Sequence, residues 1–257
     1  MSFFIHTEAD LDGAIAQLIE GDPRFAPVLS QAGRPPLRRR EGGFPGLASI
    51  VVSQQLSTAS AGAIWARLIA ALDPLEPEAI LRARPAKLAR VGLSGPKIRT
   101  LKAIAKAVAK GELDLAALMH MGADEAHATL TAVHGIGPWS ADIYLLACLG
   151  HADAWPAGDL ALQEAAKLLL GLETRPTTKE MGALAERWRP WRAVAARLLW
   201  THYRAVKQRD GAPIAAGTNA PAKPPRTRKT SPKALKPKPA ARTASTTRRT
   251  DARRTQA

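Results

Sequence analysis

Cysteine is almost absent from this sequence, because Cys148 is the only one among 257 residues. A single thiol excludes an internal disulfide and also an iron–sulfur cluster held by four cysteines. The six histidines and the one cysteine show no spacing typical of metal ligands, so the sequence gives no support to metal-dependent hydrolysis. We expect a protein of a reducing compartment without a metal centre.

Long apolar runs are missing as well. No run approaches the roughly 18 residues of a membrane-spanning helix. The first residues, MSFFIHTEADLDG, lack the basic start and apolar stretch of a signal peptide. We expect no membrane association and a cytoplasmic location, at the nucleoid if the source is bacterial. With 46% apolar residues, the chain can form one good core or two small lobes.

Acidic residues are few, since 22 Asp and Glu stand against 37 Lys and Arg, a net charge of +15. Residues 212–257 hold 12 of the basic residues and one acid, Asp251, so +11 of the charge lies there. This tail is rich in Pro, Ala and Thr and has too little apolar surface to fold, so we expect residues 211–257 to be disordered. Its charge favours binding to a DNA backbone by counterion release, with a merely solubilising tail as the alternative.

Strand patterns are absent too, and the periodicity of the remaining sequence is helical. Residues 8–20 place apolar side chains on one helical face, Ser57 can cap the helix that follows it, and residues 177–180 have the pattern of a capping box. The sequence therefore predicts an all-α fold of two helical lobes with a cleft between them. We divide it into an N-terminal helical segment (1–43) that packs on a core domain (44–210), followed by the tail.

One stretch, HGIGPWSA at residues 134–141, contains a tight Gly-Ile-Gly turn. Asp124 can cap a helix that runs to about Val133 before the turn. Pro138 suits the first position of the helix after it, because its missing N–H would have no partner there. The sequence thus predicts a helical hairpin.

The two glycines of the turn, Gly135 and Gly137, let the backbone bend sharply with no side chain in the way. The N–H groups of Gly137, Trp139 and Ser140 are expected to point outward at a helix N-terminus. Such a turn can bind an anion by close backbone approach. An ordinary αα-hairpin, in which the glycines only make the turn, is the alternative.

A lone carboxylate follows this hairpin. The loop DAWPAGD, residues 153–159, contains Pro156 and Gly158, and Asp159 stands directly before the helical pattern LALQEAAKLLL. An aspartate at that place is a candidate helix N-cap. It is also a candidate catalytic carboxylate, and the residues alone leave both roles open.

These two motifs resemble the signature of a known family. HGIGPWSA followed by PAGDLAL is similar to the hairpin, Gly/Pro-rich loop and aspartate of the helix-hairpin-helix (HhH-GPD) DNA glycosylases, in particular of the 3-methyladenine DNA glycosylase II type. Lys97 lies in a further matching segment and is a candidate phosphate contact, with a solvated lysine as the alternative. The resemblance covers about residues 44–206, and its further segments are Phe44–Leu68, Val91–Ala105 and Glu186–Trp200.

The resemblance implies roles for individual residues. Asp159 is the catalytic aspartate, at the family spacing from Trp139. Trp139 stands where relatives with lyase activity carry a Schiff-base lysine, so the pattern implies a glycosylase without lyase activity. Trp139, Trp200 and Tyr144 are expected to line the base pocket. The lone cysteine excludes the cluster of the endonuclease III branch.

The family also implies how DNA is held. Besides the hairpin residues Gly135, Gly137 and Ser140, Gln55 and Leu56 are expected to contact it. In the family their turn supplies a wedge for the gap left by a flipped base; a core leucine is the alternative for Leu56.

One candidate cofactor follows from the same resemblance. A monovalent cation on the carbonyls of Thr131, Val133 and Gly135 is implied, and no cofactor is expected to be required.

The implied function is base excision repair. The enzyme would flip an alkylated purine, of the 3-methyladenine or 7-methylguanine type, out of double-stranded DNA and hydrolyse its glycosidic bond, leaving an abasic site. Alkylation at a ring nitrogen makes the base a cationic leaving group, which suits one carboxylate better than an acid–base pair. The alternatives are a glycosylase for deaminated, oxidised or mispaired bases and a non-enzymatic DNA-binding protein. The chemistry needs only a monomer.

The sequence departs from the family pattern at two positions. His134 stands where proline is usual, and Ile143 stands where an aromatic residue is frequent, with Tyr144 beside it. The shape of the pocket, and with it the order of preference among alkylated bases, therefore stays open at the level of sequence.

Overall fold

The computed structural model describes residues 3–207, and its regular structure there is helical. Within this range an isolated antiparallel bridge joins Phe4 to His151, and no strand is present. The all-α prediction is confirmed, whereas the predicted disorder of 211–257 concerns residues outside the described range. The α-helices of the described range are α1 (Glu8–Gly21), α2 (Phe25–Ala32), α3 (Gly43–Ser53), α4 (Thr58–Ala71), α5 (Pro77–Arg82), α6 (Pro85–Arg90), α7 (Gly95–Ala109), α8 (Ala123–Thr131), α9 (Pro138–Tyr144), α10 (Leu160–Leu170), α11 (Thr178–Ala185) and α12 (Arg192–Lys207).

The helices form two groups around one continuous hydrophobic core. α12 packs against α1, α2 and α10, whereas α7 packs against α3, α5 and α6. α9 joins the second group through its contacts with α3 and α8. Among residues 3–207, no helix combines the length and apolar character that crossing a bilayer requires. The division of the chain after residues 43 and 210 stays a prediction.

Local chemistry accounts for most helix starts. The hydroxyl of Ser57 accepts a hydrogen bond from the N–H of Ser60, and Thr177 forms a capping box with Glu180, as predicted. Proline occupies the first turn of α5, α6, α7 and α9. The start of α8 was predicted wrongly: Gly122 is its N-cap, with no side-chain bond. The Asp124 carboxylate instead pairs with Arg189 at 2.7 Å.

The apolar stretch after Tyr144 does not continue as an α-helix. Leu145–Leu149 forms a wider, π-helical turn that ends at Gly150 in the left-handed region (φ +84°). The carbonyls of this turn find partners elsewhere: Arg197 donates to Leu146 at 3.2 Å. Burial lowers the pKa of Arg197 to about 10. The turn thus takes part in contacts between distant segments of the chain.

Candidate functional site

Asp159 caps α10. Its Oδ1 accepts hydrogen bonds from the N–H groups of Ala161 and Leu162, both at 3.0 Å. The preceding loop is tight, because the N–H of Asp159 donates to the Pro156 carbonyl at 2.9 Å. Cap and loop together fix the carboxylate at the first turn of a helix, where the backbone N–H groups favour a negative charge.

Two indole N–H groups complete the surroundings of this carboxylate. Trp139 donates to Oδ2 of Asp159 at 3.0 Å, and Trp200 donates to Oδ1 at 3.1 Å. Trp139 comes from α9 and Trp200 from α12, so the carboxylate joins the two groups of helices. Four N–H donors thus hold one carboxylate, an arrangement that suits an ionised group.

One oxygen of Asp159 retains capacity for a further partner. Oδ1 accepts three of the hydrogen bonds, whereas Oδ2 accepts one, from Trp139, among the described residues. A carboxylate oxygen has about two lone-pair sites. Asp159 is 6% exposed, and the next residue, Leu160, is 62% exposed, so the carboxylate lies directly below the surface.

The predicted pocket residues do not all meet at Asp159. Trp139 is half-buried and Trp200 is buried, and each turns its N–H edge to the carboxylate. Tyr144 is fully buried, and its hydroxyl donates to the Gly43 carbonyl at 3.4 Å, at the start of α3. Burial raises the pKa of Tyr144 well above its usual range. Both tryptophans therefore contact the carboxylate, whereas the hydroxyl of Tyr144 has its partner in the core.

The two hairpin glycines are required for different reasons. Gly135 has φ +89°, and a Cβ there would lie 2.9 Å from side-chain carbons of Thr100. Gly137 has φ −84°, which any residue can adopt, and a Cβ there would meet nothing within 4 Å. Gly135 thus serves the fold, whereas Gly137 leaves the outer side of the turn open to an approaching molecule.

The N–H groups of the hairpin match the prediction only in part. In the described range, the N–H groups of Gly137 and Trp139 have no protein acceptor. The Ser140 N–H was predicted to point outward, but it donates to the Gly137 carbonyl at 3.0 Å. The Ser140 side chain is also used internally, because its hydroxyl accepts a hydrogen bond from Gln54 at 2.7 Å. The open N–H groups are therefore those of Gly137 and Trp139.

The hairpin carbonyls fit the cation that the sequence resemblance implies. Val133 accepts the N–H of Ile136 at 3.0 Å and keeps its second lone pair. Within residues 3–207, no donor reaches the carbonyls of Thr131 or Gly135. Neutral carbonyl oxygens are ligands that suit a monovalent cation. The cation itself stays a prediction.

The turn with Gln55 and Leu56 lies beside the hairpin. Gln55 is exposed and has φ +55°, a left-handed conformation that is uncommon for residues other than glycine. Leu56 is half-buried. Two of the three ammonium donors of Lys97 are used within the protein, because they bind the carbonyls of Val52 and Gln54 at 2.7 and 2.8 Å. Sequence reasoning missed this contact.

A buried carboxyl on α9 was also missed. Asp142 is 8% exposed, and burial raises its pKa to about 8. His127 of α8 lies 3.7 Å away, and burial lowers the pKa of that imidazole. Burial thus disfavours the charged form of both groups where the two hairpin helices meet. An acidic residue in an otherwise apolar helix is the one sequence signal of this pair.

Comparison with known proteins agrees with this geometry. The model of the family described as "HhH-GPD superfamily base excision DNA repair protein" matches residues 48–190, which span both the hairpin and Asp159. Among curated proteins, "DNA-3-methyladenine glycosylase" of Bacillus subtilis is 29% identical over 213 residues, covering 77% of this chain and 70% of that protein.

Two further relatives extend the comparison. "Probable bifunctional transcriptional activator/DNA repair enzyme AlkA" of Mycobacterium tuberculosis is 33% identical over 207 residues, covering 75% of this chain and 40% of that protein. The chain thus spans less than half the length of this relative. The structure of Schizosaccharomyces pombe 3-methyladenine DNA glycosylase (Mag1) in complex with abasic DNA has a TM-score of 0.66 and 27% identity, covering 76% of this chain and 97% of the other. The chain belongs to the HhH-GPD superfamily of base excision DNA repair proteins.

Proposed function

We propose that this protein is a DNA glycosylase that hydrolyses the N-glycosidic bond of alkylated purines in double-stranded DNA. The observation that best supports this proposal is the Asp159 carboxylate. Four N–H donors hold it just below the surface, and one of its oxygens can accept a further hydrogen bond. The names of the Bacillus subtilis relative and of the Mag1 structure support an alkylated base as the target. Pure DNA binding does not require such a carboxylate.

The hairpin holds the DNA in this proposal. The open N–H groups of Gly137 and Trp139 receive a phosphate at the start of α9, where a helix N-terminus favours an anion. The absence of a side chain at Gly137 permits close approach of the backbone. Contacts of this kind position the strand and carry no sequence information.

The two tryptophans favour a cationic base. Because Trp139 and Trp200 bind Asp159 through their N–H edges, each indole is fixed in orientation. An indole face attracts a positively charged, electron-poor ring by cation–π interaction. Stacking of a flipped base on an aromatic side chain contributes roughly 1–3 kcal/mol. Purines alkylated at N3 or N7 meet this requirement, whereas neutral bases do so less well.

The chemical step follows from the charge of the substrate. The bond between C1′ and the base nitrogen breaks, its electron pair leaves with the base, and the alkylated base becomes neutral. Asp159 stabilises the positive charge that develops on the sugar. Water then adds to C1′ and passes a proton to the carboxylate. The product is an abasic site in an intact strand.

We also propose that the enzyme has no lyase activity. Strand cleavage through a Schiff base needs an amine at the sugar. Trp139 occupies the hairpin position next to Asp159, and its indole nitrogen cannot form a Schiff base. The nearby amine of Lys97 is bound to two carbonyls. Damaged duplex DNA as the partner and a monomeric enzyme complete the proposal.

The test is release of methylated purines from alkylated duplex DNA, compared between the wild type and Asp159→Asn. Asparagine also caps a helix, so the fold is retained. We expect release to fall by roughly 10²–10³-fold, with DNA affinity within a few-fold of the wild type. Strands of the wild-type reaction should break only after alkali, which checks the absence of lyase activity.

Asp114→Asn is the matched control. Asp114 accepts the N–H groups of Ala116 and Ala117 at 2.9 and 3.1 Å, in the turn before a short 3-10 helix and without tryptophan partners. This variant should release bases like the wild type. Equal release by Asp159→Asn and Asp114→Asn would refute the catalytic role. Release of deaminated or oxidised bases alone would instead assign another lesion class.

A further inference from the structure

Three hydrogen bonds connect the end of α3 and the turn from Gln54 to Leu56 with other helices. The ammonium of Lys97, on α7, donates to the carbonyls of Val52 and Gln54 at 2.7 and 2.8 Å. The amide of Gln54 donates to the hydroxyl of Ser140, on α9, at 2.7 Å. These bonds join residues that are 43 to 86 positions apart in the sequence.

These bonds fix a conformation that the turn would not keep alone. Gln55 has φ +55°, and such a backbone persists only where the surrounding structure imposes it. Val52 lies at the end of α3, where a carbonyl has no N–H partner four residues further on within the helix, and a cation at a helix C-terminus satisfies such a group. Burial lowers the pKa of Lys97, whereas its two carbonyl partners favour the charged ammonium.

We propose that Lys97 is a positioning residue for base flipping. By binding Val52 and Gln54, it holds in place Gln55 and Leu56, the residue to which the sequence resemblance assigns the wedge role. Lys97 itself does not contact DNA. The bond between Gln54 and Ser140 couples this turn to the phosphate-binding hairpin, so that both grip the strand in one fixed geometry. This inference rests on the proposed function.

Lys102 offers a matched control on the same helix. Its ammonium donates to the carbonyls of Ala83 and Leu81, at 2.9 and 3.2 Å, and so caps the end of α5. Lys97 and Lys102 are both half-buried and both bind two carbonyls. They differ in the segment that they hold, because the turn after α5 contributes no residue to the site. Lys102→Met therefore measures the loss of a capping lysine without an effect on Leu56.

The experiment compares Lys97→Met with Lys102→Met by two measurements. The first is single-turnover release of 7-methylguanine from duplex DNA. The second needs no catalysis: the fluorescence of 2-aminopurine beside a tetrahydrofuran abasic analogue reports unstacking on binding. We expect Lys97→Met to lower release about tenfold and to remove most of the fluorescence gain. Lys102→Met should stay within about twofold of the wild type in both, since it disturbs only α5.

A double-variant comparison distinguishes positioning from general weakening. If Lys97 acts through Leu56, then Lys97→Met should have no further effect in a Leu56→Ala background. Additive losses would overturn the proposal, and so would equal behaviour of Lys97→Met and Lys102→Met. A wild type that neither releases the base nor unstacks 2-aminopurine would instead refute the proposed function.

A second variant, Gln54→Leu, tests the same turn if Lys97→Met does not fold. Gln54→Leu removes the bond to Ser140 from the same turn and keeps the size of the side chain. It should reduce the fluorescence gain in the same direction. A wild-type fluorescence signal from Gln54→Leu would overturn the proposal.

Discussion

The geometry of Asp159 is compatible with both roles that its sequence position suggests, helix cap and candidate catalytic carboxylate. One oxygen caps α10, and the other faces the indole of Trp139. The two roles support each other, because the cap fixes the side-chain rotation that aims the second oxygen. A catalytic carboxylate placed on a helix terminus is oriented more rigidly than one on a free loop.

The two indole bonds to Asp159 should differ in their effect on the reaction. Trp139→Phe removes the one protein donor of Oδ2, whereas Trp200→Phe leaves Oδ1 with two backbone donors. Both changes keep an aromatic ring. Because a hydrogen bond to a charged group contributes about 1.5–3 kcal/mol, we expect single-turnover release to fall about tenfold or more for Trp139→Phe, and less for Trp200→Phe.

Trp188→Phe controls for stability. The indole of Trp188 donates to Oδ2 of Asp22 at 2.9 Å, in a buried pair distant in sequence from the catalytic loop. This variant should lower the melting temperature and leave base release unchanged. If it reduced release as much as Trp139→Phe did, the loss would reflect general destabilisation, and the orienting role of the indoles would be wrong.

For single residues, the sequence indicated which side chains belong to the site better than it indicated which groups they contact. The position of Asp159 could be predicted because its loop and its helix are adjacent in the chain. The contact from Lys97 to Gln54 could not, because nothing local indicates which carbonyl a lysine will meet. The cap at Asp124 was predicted wrongly for the same reason, since Arg189 and Arg192, 65 and 68 positions away, take its carboxylate.

Secondary-structure elements, too, could be predicted from the sequence where local contacts determine them, and not where distant contacts are involved. Helix starts at Ser57 and Thr177 were predictable, because a cap and its N–H partner lie within three residues. The π-helical turn Leu145–Leu149 was not, and its contacts are distant, since Arg197 binds the Leu146 carbonyl across 51 positions. The burial of this segment agrees with its apolar composition, but composition does not indicate how the segment is wound.

The α8–α9 hairpin allows a test in which stability and DNA binding separate. In Gly135→Ala, the added Cβ clashes with Thr100, and alanine is strained at the left-handed φ of this position. We therefore expect this variant to lose about 1–3 kcal/mol of folding free energy. Gly137→Ala causes neither a clash nor backbone strain, so its melting temperature should stay near that of the wild type. Its methyl group stands where a phosphate approaches, and DNA affinity should fall by roughly tenfold.

Thermal unfolding and DNA titration of both variants check this prediction. Gly62→Ala, inside α4 and with nothing near its added Cβ, serves as the control and should be slightly stabilised. If Gly137→Ala bound DNA like Gly62→Ala, a phosphate would not approach the turn from that side. The hairpin would then have only a structural role.

For the molecule as a whole, the site depends on four separate parts of the chain. The turn after α3, the hairpin, the start of α10 and α12 meet through single bonds: Gln54 to Ser140, Trp139 to Asp159, and Trp200 to Asp159. The sequence motifs indicated each part. Their mutual placement comes from one shared core, which no single motif encodes.

The last prediction concerns residues 211–257, which lie beyond the described range. They carry +11 of the net charge of +15, so their deletion removes most of the attraction to the DNA backbone. Each phosphate that a basic residue neutralises contributes about 0.9 to the slope of log affinity against log salt concentration. We therefore expect the truncated protein to bind more weakly at low salt, with a slope smaller by several units. Preference for the alkylated base should survive, because phosphate contacts carry no information about the base.

Salt titrations of DNA binding test this role of the tail. They compare the full chain, the truncated chain and a full-length variant in which the Lys and Arg of the tail are changed to Gln. The neutral tail should behave like the deletion, because charge and not length produces the effect. A tail with the same composition in scrambled order should behave like the wild type. If the slope stayed the same after deletion, the charge that binds DNA would lie in residues 1–210, and the role of the tail in DNA binding would be refuted.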